Sequence, residues 1–250
     1  MQIIWHGQSC FELVFAKGKG EHITVLVDPS DESKTGLKMP KTDAQIVLLT
    51  NKTYTAAESD IKKNAAGAFI VGGPGEYEVK GVYVRGIDSN FGKPAAAKKE
   101  EDSEAENKKT SRKTVVKESG RTDFAEAADE SSTVYTIEAE DMKLCSLGNF
   151  QEAELNQSQV EKIGNVDILM FPVGNGKNVG AKEALKIVSQ IEPSIAVPMN
   201  YQIPKLKLDA DDLNGFLKAA GVAAVDPLPK LTIKKKEIQP EEAKIIVLTP

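Results

Sequence analysis

The chain has 250 residues, of which 40% are hydrophobic and 28% are charged, a composition typical of a soluble globular protein with a sizeable core. Its net charge of −5 argues against a nucleic-acid-binding surface, since such surfaces need clustered lysine and arginine. No apolar run approaches the roughly 20 residues that span a bilayer, and the first residues carry no basic leader. We therefore predict a cytoplasmic protein that binds neither nucleic acid nor membranes.

The first third of the sequence is rich in predicted strands. Short β-type runs separated by glycine-containing turns predict strands over residues 2–4, 9–15, 23–27, 44–49, 68–71 and 77–86. Residues 44–49 (AQIVLL) are apolar on both faces, as expected of a strand that is covered on both sides. A short helix is predicted over residues 57–66, between two of these strands.

A change of composition marks residues 92–130 as an insertion. This segment consists mainly of Lys, Glu, Ala, Ser and Asp, and its basic and acidic residues nearly balance. Such a segment buries too little apolar surface to offset the entropy lost on ordering, so the sequence predicts a disordered insertion.

Helices alternate with buried strands in the second half. A hairpin is predicted from residues 133–139 and 143–147, with Glu140 and Asp141 in its turn. The remaining predicted elements are helices over residues 156–163, 180–191 and 209–220, and strands over residues 167–173, 194–197, 230–235 and 243–248. Strand clusters followed by this alternation predict layered α/β packing with more than one sheet.

Several short motifs of common active sites are absent or incomplete. The glycine-rich residues 72–75 lead into a strand, whereas a phosphate cradle needs a helix N-terminus. Residues 172–180 precede a helix but lack the GxxxxGK[ST] spacing. Ser9 lies outside a GxSxG elbow, and Cys10 and Cys145 are predicted to be buried free thiols.

The order of segments carries a resemblance to a known family. IIWHGQSCFEL, VLVDPS, AQIVLLTNKTYTAAE, GGPGEYEVKGVYVRGI, TVYTIEAEDMKLCSLGN, VDILMFPVG and IEPSIAVPMNY follow one another as in the metallo-β-lactamase superfamily. The sequence most resembles the branch of small prokaryotic, lactonase-like Zn-dependent hydrolases. The resemblance implies an α/β fold, a four-layer αββα sandwich with metals bound at one edge between the two sheets. It also implies a single domain over residues 1–250, interrupted at about 92–130 by the insertion.

The family's metal-ligand motifs are changed in this sequence. Where the family has T-H-x-H-x-D-H after a buried strand, residues 50–56 read TNKTYTA, and Gln8 replaces the histidine of the family's G-H-S-C. The family's L-G-D and P-M-H-Y read LGN and PMNY here, while the D-P aspartate is kept as Asp28. The former metal-cleft positions are therefore Asn51, Thr53, Thr55, Ala56, Asn149 and Asn200.

These changes lead to the functional prediction. Zinc sites use imidazole nitrogens and carboxylates, and neutral Asn and Thr oxygens are weak ligands for Zn²⁺. We therefore predict that the family zinc is absent and that the protein has no cofactor. The leading interpretation is a non-catalytic binding or scaffold pseudoenzyme that recognises an unknown protein or a small uncharged ligand. Its candidate pocket is lined by Gln8, Asp28, Tyr54 and Tyr201.

The alternative interpretation retains enzymatic activity. In this hypothesis the protein is an active hydrolase of lactone, ester or phosphodiester bonds, as the resemblance implies, and uses the remodelled family cleft. No pair of nucleophile and base is visible in the sequence for this chemistry. The sequence leaves the substrate, the oligomeric state and the biological process open.

Overall fold

A computed structural model describes residues 1–53, 55–90, 131–174, 179–223, 225–239 and 243–250. The predicted insertion, at about 92–130, and Tyr54 lie outside these residues.

Two sheets are built from short strands that mostly follow the predicted runs. The strands are β1 (Gln2–Trp5), β2 (Phe11–Gly18), β3 (Glu21–Val27), β4 (Ile46–Leu48), β5 (Phe69–Val71), β6 (Gly75–Val79), β7 (Val82–Asn90), β8 (Ser131–Ala139), β9 (Met142–Ser146), β10 (Ile168–Pro172), β11 (Ile195–Met199), β12 (Leu231–Thr232) and β13 (Lys244–Ile245). The helices are α1 (Glu32–Thr35), α2 (Glu58–Asn64), α3 (Gln157–Ile163), α4 (Ala181–Ile191) and α5 (Leu213–Ala219).

Each sheet combines antiparallel and parallel pairs. The first has the order β12-β1-β2-β3-β4-β5, with β3, β4 and β5 parallel to one another. The second has the order β13-β11-β10-β9-β8-β7-β6, with β9, β10, β11 and β13 parallel. The carboxyl ends of parallel neighbours meet at one edge of each sheet, so the residues that follow them are brought together.

The packing places helices on the outer faces and the two sheets in the centre. Val25 and Val27 of β3 belong to the main core, whereas Leu26 points to the other face and packs in a cluster with Ile61 of α2. On the second sheet, Phe171 of β10 makes an edge-to-face contact with Phe216 of α5, at 5.5 Å between ring centroids. The predicted four-layer αββα sandwich is confirmed.

Two element predictions are wrong. The predicted strand over residues 77–86 is a hairpin, because Lys80 and Gly81 both have positive φ (54° and 86°) and turn the chain between β6 and β7. The core-facing residues are Tyr77 and Val79 before the turn and Val82 and Val84 after it, so the period of two breaks at the turn. The predicted strand over residues 230–235 ends at Thr232 and is followed by a 3₁₀ helix, Lys235–Glu237.

The helices of the described ranges are all too short or too polar to cross a membrane.

Candidate functional site

Residues that follow the ends of four strands meet between the two sheets. Asp28 follows β3, Asn51 lies just after β4, Asn149 just after β9, and Asn200 directly after β11. All four residues are buried. We call the group formed by Asp28, Thr50, Asn51, Gly148, Asn149 and Asn200 the strand-end site.

A buried carboxylate holds the start of the loop after β4. The Asp28 Oδ1 atom accepts a hydrogen bond from the Thr50 backbone N–H at 2.7 Å, and Oδ2 accepts one from Thr50 Oγ1 at 2.6 Å. Burial raises the pKa of Asp28 to about 6, while hydrogen bonds from Thr50 and from the Ser9 side chain act in the opposite direction. Asp28 is thus paired with neutral donors.

Asn51 uses its polar atoms to shape the same loop. Its Nδ2 atom donates to Thr50 Oγ1 at 3.1 Å, and its Oδ1 atom accepts from the Thr53 backbone N–H at 2.9 Å. The Asn51 carbonyl accepts from Thr55 Oγ1 at 2.7 Å, and Thr55 also bridges to Ser30 of the loop after β3. The bond from the Thr53 N–H to Asn51 Oδ1 forms an Asx turn, and the bond from Thr55 ties the loop to Asn51 a second time, so Thr53 and Thr55 serve its folding.

Asn200 ties the second sheet to this loop through Gly148. The Asn200 Nδ2 atom donates to the Gly148 carbonyl at 3.2 Å. Gly148 has a φ of +57° and lies so close to Thr50 that a Cβ atom would overlap the Thr50 side chain. The Thr50 carbonyl in turn accepts from the Thr133 backbone N–H of β8 at 2.8 Å. The two sheets are therefore in direct contact at the strand-end site.

Gln8 and Tyr201 are joined through Trp5. The Trp5 indole N–H donates to the Gln8 carbonyl at 2.7 Å, and the Trp5 and Tyr201 rings lie 4.9 Å apart between centroids. The Tyr201 hydroxyl donates to the Leu248 carbonyl at 3.2 Å. Tyr201 thus packs with its hydroxyl already bonded, and the lining role predicted for it remains a prediction, as does that of Tyr54.

Three of the predicted site residues have strained backbone. Gln8, Asp28 and Asn200 have φ values of 50°, 43° and 55°, in the left-handed region that residues other than glycine rarely adopt. Strain of this kind persists where the surrounding structure enforces it, and it clusters at functional sites. Asn and Asp tolerate this conformation better than other residues, which is a partial signal at two of the three positions, but nothing in the sequence marks Gln8.

Sequence reasoning missed the parts played by Thr50 and Gly148. Thr50 bonds Asp28 and accepts from Asn51, and Gly148 allows the close approach that joins the sheets. Gly148 lies between Leu147 and Asn149 of the LGN motif, and a glycine at such a position is a usable signal of a tight backbone conformation or a close approach. No pattern in the sequence distinguishes the role of Thr50 from that of an ordinary threonine in a β-strand.

Comparison with known proteins finds relatives in sequence and a solved structure of similar fold. A UPF0173 metal-dependent hydrolase from Methanopyrus kandleri is 24% identical over 233 residues, 89% of this chain and 94% of that protein. Another from Thermococcus onnurineus is 32% identical over 91 residues, 35% of this chain and 38% of that protein. A solved Thermotoga maritima structure, assigned to the Zn-dependent hydrolases of the metallo-β-lactamase superfamily, has a TM-score of 0.68. At 24% identity, with 99% of this chain and 97% of that one covered, it shows the fold alone.

The names of these relatives correct one prediction. The expectation that the protein has no cofactor and that the family zinc is absent is wrong, because the matching relatives are named metal-dependent hydrolases. A metal is therefore the cofactor that the family implies. The described residues contain no group of three or more His, Cys, Asp or Glu side chains placed to hold a metal ion. Asp28 with amide and hydroxyl oxygens does not fit the imidazole-rich donor set of a zinc site.

A family model matches most of the chain. A model of the β-lactamase superfamily domain matches residues 2–200, which include β1 to β11 and every residue of the strand-end site. With the two-sheet sandwich and the site at its strand ends, this match shows that the chain belongs to the metallo-β-lactamase superfamily.

Proposed function

We propose that the protein is a hydrolase that acts at the strand-end site on lactone, ester or phosphodiester bonds. The observation that carries the proposal is the convergence, between the two sheets, of one buried carboxylate and amide side chains from separate strand ends. The names of the relatives, which are metal-dependent hydrolases, support the reaction class. The resemblance of the sequence to lactonase-like hydrolases supports the substrate classes.

The chemistry of the site residues is suited to a substrate whose reacting centre develops negative charge. Hydrolysis of an ester, a lactone or a phosphodiester builds up charge on oxygen, and fixed N–H donors lower the energy of that charge. Asn200 has two Nδ2 hydrogens, and its bond to the Gly148 carbonyl uses one of them. Asp28 acts as a positioning residue, because its bonds to Thr50 hold the loop in place.

An assay of three substrate classes tests this proposal. The purified full chain is incubated with a γ-lactone, p-nitrophenyl acetate and bis-p-nitrophenyl phosphate, each without added metal and with added zinc, manganese or magnesium. Adding metals ensures that a metal requirement of the kind the relatives' names imply does not hide the activity. We expect turnover of at least one class above the rate with heat-denatured protein. Rates equal to that control for all three substrates under every condition would overturn the proposal.

A second candidate function is the non-catalytic binding or scaffold role predicted from the sequence. The observation that favours it is the loop after β4, where Thr53 and Thr55 each donate a hydrogen bond to Asn51 and Ala56 lacks a polar side chain. Such a loop is ordered without a substrate, and it presents amides rather than a nucleophile with its base. Ligand binding at the strand-end site without turnover in the assay above would favour this role over hydrolysis.

A further inference from the structure

A cavity lies beside the loop after β4, on the outer face of the first sheet. Its volume is about 740 Å³, within the range of cavities that hold small molecules. Leu49 and Ile70, which line it, also pack against the cluster of Leu26 and Ile61 on that outer face. The described residues that line this cavity, which we call the outer cavity, include no member of the strand-end site. It is therefore a separate candidate site.

The floor of the outer cavity is apolar. Leu49, Phe69 and Ile70 line it together with three alanines, at the end of β4, at the start of α2 and along β5. The Phe69 side chain is 47% exposed, and β5 is the edge strand of its sheet. The Phe69 ring lies 6.3 Å from the ring of Tyr77, between centroids. An exposed aromatic side chain inside a cavity of this size is surface that an apolar ligand can cover.

The rim of the outer cavity carries more positive than negative charge. Three lysines line it, Lys34, Lys52 and Lys62, against two carboxylates. Both carboxylates are engaged within the protein, since Asp31 accepts from Ser33 at the start of α1 and Glu58 pairs with Lys62. The excess over the carboxylates is one positive charge, which complements a ligand with one negative charge.

Lys34 is the lysine best placed to hold an anion. Its Nζ atom donates to the Thr53 carbonyl at 2.7 Å, whereas the nearest oxygen of Asp31 lies at 3.8 Å. An ammonium group has three hydrogens, so the bond to Thr53 leaves donors for a ligand. That bond also holds the Lys34 ammonium at the wall of the cavity, against the loop after β4.

From this arrangement we propose that the outer cavity binds a monocarboxylate with an apolar body. The carboxylate accepts a hydrogen bond from Lys34, and the apolar body covers Phe69 and the floor around Ile70. Burial of each CH₂ group adds to the affinity, and the charge-assisted bond fixes the orientation of the ligand. This binding site goes beyond the proposed function, because it shares no residue with the strand-end site and requires no turnover.

A set of straight-chain ligands tests both halves of the inference. Octanoate, octylammonium and butyrate are each titrated, below micelle-forming concentrations, into the ¹⁵N-labelled full chain while backbone amide shifts are recorded. We expect octanoate to bind at least tenfold more tightly than octylammonium, which has the opposite charge, and than butyrate, which has a shorter chain. The largest shifts are expected at Ala57, Phe69 and Ile70. Equal affinity for octanoate and octylammonium, or largest shifts at Gly148 and Asn200, would overturn the inference.

Substitution of Lys34 tests the position of the carboxylate. Lys34→Gln removes the charge and keeps a donor for the Thr53 carbonyl, and we expect it to lower octanoate affinity at least fivefold. Lys17→Gln, at an exposed position of β2, makes the same change outside the cavity and is expected to remain within twofold of the wild type. Unchanged octanoate affinity in a folded Lys34→Gln protein would contradict the inference.

Substitution of Phe69 tests the apolar floor independently of charge. Phe69→Ala is expected to lower octanoate affinity at least fivefold, whereas Tyr83→Ala, at another exposed aromatic residue, is expected to leave it within twofold. Equal effects of the two substitutions would overturn the role of the floor. Octanoate binding without turnover of lactone, ester or phosphodiester would defeat the proposed hydrolase and leave this inference intact, and turnover without octanoate binding would do the reverse.

Discussion

Replacement of Gly148 with alanine tests the contact that joins the two sheets at the strand-end site. Gly148 has a φ of +57°, where a residue with a Cβ atom is strained by about 1 to 2 kcal/mol. The new Cβ would also overlap the Thr50 side chain, so Thr50 must move. That movement breaks its hydrogen bonds to the Asp28 carboxylate, and bonds to a charged group contribute about 1.5 to 3 kcal/mol. We therefore expect Gly148→Ala to lower the free energy of unfolding by about 3 to 5 kcal/mol.

Gly221→Ala is the matched control for backbone strain. Gly221 has a φ of +71°, and a Cβ atom there would meet no atom within 4 Å. Its expected loss is about 1 kcal/mol, from strain alone, partly offset by the lower entropy of the unfolded chain. Both variants are compared with the wild type by equilibrium urea unfolding monitored by circular dichroism. If the losses of the two variants differ by less than about 1 kcal/mol, the reasoning about the Gly148–Thr50 contact is refuted.

Three further predictions concern the buried Asp28 carboxylate, the N-cap of α3 and the two buried cysteines. Burial raises the pKa of Asp28 to about 6, above its value in the unfolded chain, so the folded state binds the extra proton and is stabilised as the pH falls from about 6 to about 4. Relative to Asp28→Asn, the wild type should therefore lose about 2 to 3 kcal/mol of unfolding free energy between pH 4 and pH 7.5, and parallel pH profiles in urea unfolding would contradict this. Asn156→Ala removes the side chain that caps α3 in a reciprocal pair with Gln159, and should cost about 1 kcal/mol in the same assay; no loss would refute the capping role. Burial raises the pKa of Cys10 and Cys145, the latter to about 12, so both thiols should react with a disulfide reagent far more slowly in the folded protein than in guanidinium, whereas equal rates would show that they are accessible.

The fold could be predicted well where side-chain period and turn chemistry agree. The turn at Glu140 and Asp141 separates two alternating runs, and the structure forms the predicted hairpin there with positive φ at both residues. The turn at Lys80 and Gly81 was missed because Val82, Tyr83 and Val84 are all apolar. In such a run the sequence does not show that the core-facing residues change from odd to even positions across the turn.

The strand-end site could be predicted in position but only in part in detail. Asn51 and Asn200 were identified from motif positions. In the structure they are connected by a chain of contacts that runs through Thr50 and Gly148. Those intermediate contacts depend on the distance between two sheets, which no local pattern encodes. The cofactor prediction was wrong because the matching relatives are named metal-dependent hydrolases, and the motif positions of a single sequence carry no information on what its relatives bind.

The same substitution at two ends of the sandwich tests the central claim, that the strand-end site is where the substrate reacts. Asn200→Asp changes the strand-end site, and Asn165→Asp makes the identical change near the far end of the second sheet. The measurement is kcat/KM for whichever lactone, ester or phosphodiester the wild type hydrolyses. We predict a loss of at least tenfold for Asn200→Asp, about 1.4 kcal/mol of transition-state stabilisation, with Asn165→Asp within about twofold of the wild type. A folded Asn200→Asp protein with wild-type kcat/KM would contradict the account.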